Sequence, residues 1–325
     1  MNSPRLVSVI IATRDRPALL REALASVRAL EGSDITFQIR VGDNGSAAGS
    51  REAAEEFGAI YAKTETNGCA SARNVAMRNA SGEFIAFLDD DDVWLEGHIR
   101  PHIRLLDARP ELEAVFGQVI PTNVDRSPTS APWPVELPND GDIFKTMMSG
   151  YFPQVGATLV RARALKTYGL MDERLIGDSD WDWQLRIARN HRIGFVPVPC
   201  VLFRQRPPGT YDELQMRRMT YTRRIFLRHA IPEWKRWQSP VAMLRSYFGS
   251  VGGYHSYFLE SAVQRSADGE RRAALKAIVS AVWIKPFNGV KQLIKPTQFR
   301  KAFLTALSPR PHVRSQASSP PTAKT

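Results

Sequence analysis

The chain has 325 residues, 24% charged and 43% hydrophobic, enough for a large core and for two domains or one domain with an appendage. Its net charge of +11 is uneven: residues 1–211 hold 24 basic and 27 acidic side chains, and residues 212–325 hold 20 basic against 6 acidic. Two cysteines exclude a disulfide framework, six histidines read as scattered give no expectation of a zinc centre, and no apolar run reaches the ~18–20 residues that span a bilayer.

The opening MNSPR, with Arg14, Asp15 and Arg16 interrupting the apolar stretch, does not read as a secretory leader, so a cytoplasmic location is expected. Leu6 to Ala12 (LVSVIIA) is a continuous β-rich apolar run, the pattern of a parallel strand covered on both faces. Thr13-Arg14-Asp15-Arg16-Pro17 turns the chain into a helix whose Leu20, Leu24 and Val27 share one face. Ile35, Phe37, Ile39 and Val41 alternate with other residues as a second strand, which ends in the turn Gly42-Asp43-Asn44-Gly45-Ser46. A helix over Ser50–Phe57 leads to a short strand at Ala59–Ala62, a helix at Ser71–Asn79 and a strand at Glu83–Leu88. This rhythm predicts an α/β protein with an open, Rossmann-like, mostly parallel sheet.

Beyond it the pattern predicts a helix at His98–Ala108, a strand at Ala114–Ile120 and a loop over the site at 121–142. A strand at Gly156–Val160 and helices at Ala162–Gly169 and Asp180–Asn190 come next. The domain expectation is a catalytic domain at 1–211, a basic helical extension at 212–307 and a Pro/Ser-rich disordered tail at 308–325.

Open α/β sheets bind ligands at the carboxyl ends of their strands. Three such ends carry polar clusters: Thr13–Arg16, Asp43–Ser46 and Asp89–Asp92. The four adjacent carboxylates repel one another unless something offsets them. Asp89 and Asp91, two apart in extended geometry, share a side, where they can hold Mg2+ or Mn2+. A solvated acidic turn is the plain alternative, and the strand-end position favours the metal. A second cluster, Gly177-Asp178-Ser179-Asp180-Trp181-Asp182-Trp183, places more carboxylates at a helix start than capping requires. An aspartate between two bulky aromatics is expected to be partly desolvated and drawn toward general-base range. In Asn67-Gly68-Cys69-Ala70-Ser71-Ala72-Arg73-Asn74, small residues allow close backbone approach, and Arg73 is placed to bind a diphosphate.

Taken together, these segments resemble glycosyltransferase family 2, inverting enzymes of the GT-A fold. VSVIIATRDRPALLREAL resembles the family's opening VSVIIPTYNR strand and helix, and VGDNGS its VDDGS turn. NGCASARNVAMRNASGEFIAFLDDDDVW resembles its central segment ending in the DxD motif, and SDWDWQLR its ED-W-D helix. The resemblance covers about residues 6–210, in order, and implies a GT-A-type nucleotide-diphospho-sugar transferase fold with a C-terminal helical extension.

Residue by residue, it implies that Thr13 and Asp43 contact the base and ribose of a nucleotide-sugar donor. Arg14, where the family usually has a stacking Tyr, counts with the donor-binding residues. Arg73 would face the diphosphate, Asp90 would reach the ribose or sugar, and Asp91 with Asp89 would hold Mg2+ or Mn2+. Asp180 matches the catalytic base of a single in-line displacement, with Ser179 in the place of the usual Glu. Arg206 stands where a metal-side His often occurs and would neutralise the diphosphate instead. Glu233-Trp234-Lys235-Arg236-Trp237 nearly matches the QxxRW of processive synthases, and Glu for Gln favours a single addition.

The basic third interleaves Arg217, Arg218, Arg223, Arg224, Arg228, Lys235 and Arg236 with Tyr221, Phe226, Trp234 and Trp237. That pattern favours peripheral attachment to an anionic membrane surface on its cytoplasmic face, consistent with a saccharide or lipid-linked acceptor. Solvated faces of packing helices are the bland alternative, and nucleic acid is the least expected partner. Two rival functions are a sugar-nucleotide nucleotidyltransferase, whose GxGxRL loop ATRDRP does not match, and a non-catalytic sugar-binding module.

Overall fold

A computed structural model describes residues 3–138, 141–205, 209 and 211–308. The elements run β1 (Arg5–Thr13), α1 (Pro17–Arg28), β2 (Ile35–Asp43), α2 (Ser50–Glu56), β3 (Ile60–Lys63), α3 (Cys69–Met77) and β4 (Phe84–Asp89). Then come β5 (Val93–Trp94), α4 (Arg100–Ala108), β6 (Leu112–Thr122), α5 (Phe144–Met148), β7 (Thr158–Arg161), α6 (Ala162–Tyr168), α7 (Ser179–Ala188) and β8 (Arg192–Arg204). The remainder is helical: α8 (Asp212–Ala230), α9 (Pro240–Ser250), α10 (Gly252–Ala267), α11 (Arg271–Ile284), α12 (Pro286–Ile294) and α13 (Gln298–Leu307). One compact unit ends at Tyr254 and a second begins at His255. The expected tail, from residue 309 on, lies outside the described residues.

The first unit is built on an eight-stranded sheet of order β3-β2-β1-β4-β7-β6-β8-β5. β1 pairs in parallel with β2 and β4, and β2 with β3, as the β-α-β rhythm requires. β7 runs antiparallel to both neighbours, β4 and β6, so the sheet is mixed. Side chains alternate across it. Val7, Val9 and Ile11 of β1 and Phe84, Ala86 and Leu88 of β4 enter one core layer with α1, α2 and α4. Ile10, Ile85 and Phe87 enter the other, with Trp181 and Trp183 of α7 and Ile225 and Phe226 of α8. Apolar residues on both faces explain why these strands read as continuous hydrophobic runs.

Gly42 sets how closely α3 approaches the sheet. A Cβ there would lie 1.8 Å from the Ala72 carbonyl oxygen, so only glycine lets α3 press against β2.

The pattern did not announce β8, which carries Gly194, Pro197 and Pro199. Its register against β6 shifts on both sides of Gln118, which pairs with Pro199, and such irregularities are where a sheet tolerates proline.

In the second unit, α11 buries Ala274, Ala277, Ile278, Ala281 and Ile284 and packs with α12 and α13. No described helix is long and apolar enough to cross a membrane.

Candidate active site

Parallel register sets Thr13 beside Asp43 and Ala12 beside Asp89, which brings three polar strand ends to one edge of the sheet. The loops after these ends are tied together. Asp15 accepts from the backbone N–H groups of Ser46 and Ala47 at 2.6 and 2.5 Å. Buried Asp43 accepts from Gly45 N–H at 2.6 Å and from the Tyr61 hydroxyl at 2.8 Å, with Lys63 Nζ at 3.7 Å. Arg14 extends into solvent, its Nε 3.7 Å from Asp15.

The acidic run divides into four environments. β4 ends at Asp89, and Asp92 N–H donates to the Asp89 carbonyl at 3.1 Å, so Asp90 and Asp91 lie in a turn. Strand alternation, the reason for expecting Asp89 and Asp91 on one side, therefore stops one residue too early. Asp89 accepts from Arg73 at 2.5 Å, and Asp91 accepts from Arg16 at 2.6 Å. Asp90 is buried, accepting from the Thr13 hydroxyl at 2.7 Å and from Arg16 at 2.5 Å. Burial pushes its carboxyl up to about 6, although Arg16 and Thr13 pull the other way. Asp92 faces inward, accepting from the Arg204 backbone N–H at 2.8 Å and from Gln154 at 3.0 Å. Burial first, then Asp89 and Asp91, drive it well above the usual carboxylate range. Arg16 is the offsetting charge for Asp90 and Asp91, as Arg73 is for Asp89, a role that sequence pattern did not assign to Arg16. It lies in the Thr13–Arg16 turn, and the need to balance four carboxylates was the available signal.

The three aspartates of the α7 segment also separate. Asp178, at φ 58°, is buried and accepts from Arg218 at 2.5 Å, from Tyr254 at 2.6 Å and from Thr222. Asp182 is buried against Arg228 at 3.0 Å and His229 at 3.1 Å. Both therefore bind α8 to α7. Asp180 has a side chain 29% exposed, and its second neighbour is Arg73 Nη1 at 3.5 Å, after the Trp181 N–H at 2.9 Å. The aspartate between the two tryptophans is Asp182, which is buried as expected; burial works to raise its carboxyl, but His229, Arg186 and Arg228 hold it below the ordinary value, so it is not drawn toward general-base range. Several basic residues of α8 thus neutralise α7 carboxylates, a role hidden while the basic third is read as an outward face.

Asp89 and Asp180 line a cleft of about 750 Å3 whose far wall is formed by Trp133, Val135, Phe152 and Phe203. Phe152 stacks on Trp181 with ring centroids 4.3 Å apart. Of the segment expected to lie over the site, Pro121 and Ser130, Ala131, Pro132, Trp133 and Val135 line the cleft, and residues 139 and 140 lie outside the described residues.

Asp89 and Asp91 offer the hard oxygen donors that Mg2+ or Mn2+ prefers. Among the described residues no third carboxylate converges with them, so a divalent ion there would take its remaining ligands from a bound phosphate and water. The donor chemistry fits. The histidines, in contrast, are not scattered: His98 and His102 are four residues apart and meet Cys200 in the core. Arg206 lies outside the described residues.

The family model described as Glycosyl transferase family 2 matches residues 8–169. The UDP-Glc:alpha-D-GlcNAc-diphosphoundecaprenol beta-1,3-glucosyltransferase WfgD of Escherichia coli is 33% identical over 105 residues, 31% of this chain and 41% of its own length. This chain thus covers about two fifths of that relative. The crystal structure of S. aureus TarS 1–349 superposes with a TM-score of 0.56 at 15% identity, covering 93% of this chain and 88% of that one. The mannosyltransferase PcManGT from Pyrobaculum calidifontis, in complex with GDP-Man and Mn2+, gives 0.51 at 16% identity, covering 94% and 86%. Both share the fold.

Proposed function

This chain belongs to glycosyl transferase family 2, and from that premise we propose that it moves a sugar from a nucleotide-diphosphate donor to an acceptor hydroxyl with inversion. One observation carries the reading: Asp178 and Asp180 both line the cleft, but of the three aspartates in the α7 segment Asp180 alone has a part-exposed side chain, and Arg73 links it to Asp89 at the end of β4. Asp180 takes the proton of the acceptor hydroxyl. The freed oxygen attacks the anomeric carbon, and the bond from that carbon to the diphosphate breaks with its electron pair leaving on the phosphate. Thr13 and Asp43 border the space for the base and ribose, Arg14 lies at its rim, and Asp90 lies toward the ribose or sugar. Arg73 and Arg16 face the diphosphate with positive charge. Asp89 and Asp91 would hold Mg2+ or Mn2+, which when bound supplies charge neutralisation for the departing nucleoside diphosphate.

The acceptor side is the apolar wall of Trp133, Val135 and Phe152, which suits the face of a sugar or the start of a lipid. A lipid-linked saccharide of the kind named for WfgD is the acceptor we favour, for polysaccharide or glycolipid synthesis. A working site on the cytoplasmic face of a membrane would need a docking surface. Val279 and Trp283 of α11 and Phe287, Val290 and Ile294 of α12 are exposed, and the helices also carry Lys276, Lys291 and, just beyond each end, Lys285 and Lys295. Spaced three and four apart, these apolar residues make outward stripes that suit an anionic bilayer.

The test is transfer by purified protein with Mn2+ across a panel of nucleotide sugars and polyprenyl-diphosphate saccharides. Release of nucleoside diphosphate that depends on acceptor, with a product of inverted anomeric configuration, is expected. A protein that binds no nucleotide sugar would overturn the reading.

A further inference from the structure

In the core layer beneath α1 and α4, away from the cleft, three side chains with metal-ligating atoms converge. His98 precedes α4, His102 lies in its first turn, and Cys200 lies in β8. All three are buried, at 1%, 0% and 0% exposure. One donor atom from each lies within 4.8 Å of the other two, and Cys200 Sγ is 3.9 Å from His102 Nε2. From these positions we propose that His98, His102 and Cys200 form a buried site for one thiophilic d10 metal ion, Cu+ or Zn2+.

Four observations favour a site over an ordinary packed cluster. Neither ring nitrogen of His98, nor Nδ1 of His102, makes a hydrogen bond of good geometry. A buried polar atom without a partner is uncommon and asks for an explanation. The nearest carbonyls, Gly156 by His98 and Ala157 by His102, approach without that geometry, and Gly156 already accepts from Trp94 Nε1 at 2.9 Å. Gly117 lets the thiol and the imidazole meet closely, since a Cβ there would lie 2.3 Å from Cys200 Sγ and 2.9 Å from His102 Nε2. Between the two histidines sits Ile99, a β-branched residue at φ 33°, a conformation such residues rarely adopt. Burial holds both imidazoles neutral, which is their ligating form, and pushes the Cys200 thiol up to about 12, so a bound ion must displace its proton.

Two imidazoles and a thiolate select a borderline or soft ion over Mg2+ or Mn2+. Binding releases the thiol proton to solvent, so Cu+ with the thiolate leaves the pocket neutral, whereas Zn2+ leaves one positive charge and needs a fourth ligand. In a dry core the neutral combination is the less costly. The ion would fasten α4 to β8, and β8 pairs with β5 immediately after the acidic turn. It would thus act on the rigidity of the platform behind the cleft rather than on the reaction.

The experiment uses the full chain in the Cys69→Ser background, dialysed against excess Mg2+ so that the cleft carboxylates are saturated. Separate arms add Cu+ under anaerobic reductant and Zn2+, and bound metal per chain is counted by mass spectrometry. About one equivalent of either ion, lost in Cys200→Ala and in His102→Gln, is expected. Less than a tenth of an equivalent in both arms would overturn the proposal, as would equal retention by the two variants. Should both variants misfold by circular dichroism, the unsubstituted thiol decides. The bound ion should raise the unfolding temperature and slow Cys200 alkylation at least tenfold, and neither change occurring overturns the site.

Discussion

The guanidinium of Arg73 lies 3.5 Å from the Asp180 carboxylate. The same group donates to Asp89 at 2.5 Å, so one buried cation bridges the strand end on which a metal would sit and the proposed base. Sequence separates Arg73 from Asp180 by 107 positions. The close approach of α3 to β2 at Gly42 and the packing of α7 beside α3 bring them together.

If Asp180 is the base, Asp180→Asn keeps shape and hydrogen bonding and removes the proton acceptor. kcat should fall about 10²–10⁴-fold, the usual range for losing a general base. Donor affinity, read by thermal shift with Mn2+, should change less than threefold. A variant with unchanged kcat would remove Asp180 from that role.

Arg73→Gln leaves two carboxylates facing each other across the cleft floor without their shared cation. Because Arg73 is buried, a stability loss of about 3 kcal/mol is expected, at the low end for breaking a buried ion pair since both aspartates keep some solvent contact. Urea unfolding measures it. Arg73→Lys should restore part of the stability but less of the donor affinity, because an ammonium lacks the planar fork.

Asp178 positions the start of α7, which carries Asp180, through Arg218, Thr222 and Tyr254. Asp178→Ala leaves those donors without their acceptor, at a cost of about 2–3 kcal/mol. At temperatures where the variant is folded, kcat should drop more than tenfold while donor KM stays near wild type. Equal loss in both parameters would point to general disruption instead.

Asp90 gives a pH dependence. Burial raises its folded-state pKa to about 6, above the ordinary 3.8, so the folded chain holds this proton more tightly than the unfolded chain does. Its stabilising contribution is then full below the ordinary value and declines as pH rises through about 6. The shift corresponds to about 3 kcal/mol at most. Thermal melts from pH 4 to 7 should show wild type losing stability relative to Asp90→Asn as pH rises. A constant difference across that range would show that Asp90 does not titrate there.

The membrane proposal rests on Trp283, Phe287 and Ile294 rather than on α8, whose Arg218 and Arg228 are engaged with α7. Phe287→Glu with Ile294→Glu should reduce flotation on anionic vesicles at least tenfold. Charge reversal in α8 would instead lower the melting temperature. Equal flotation by wild type and the double variant would remove the stripe as a docking surface.

Much of the site was legible because parallel strands must end somewhere polar. Thr13, Asp43 and Asp89 stand at the ends of buried apolar runs, and period and turn chemistry locate those ends. β8 was not legible, because two prolines and a glycine erase the strand signal that the bulged register against β6 restores. The pairing of His98 with Cys200 was equally hidden, since about a hundred residues and the crossing of β8 behind α4 intervene.

The sequence alone determined the α/β order, the polar strand ends, the family and the asymmetry of charge, all of which depend on local pattern. Only the tertiary structure decided what each carboxylate touches. Asp178, Asp180 and Asp182 are chemically identical and almost adjacent, yet packing buries Asp178 and Asp182 against arginines of α8 and leaves Asp180 alone of the three with a part-exposed side chain at the cleft, which Asp178 also borders. The same holds for the basic excess, whose arginines on α8 gain internal partners only once that helix packs. Charge is written in the residue, whereas its partner is set by the fold.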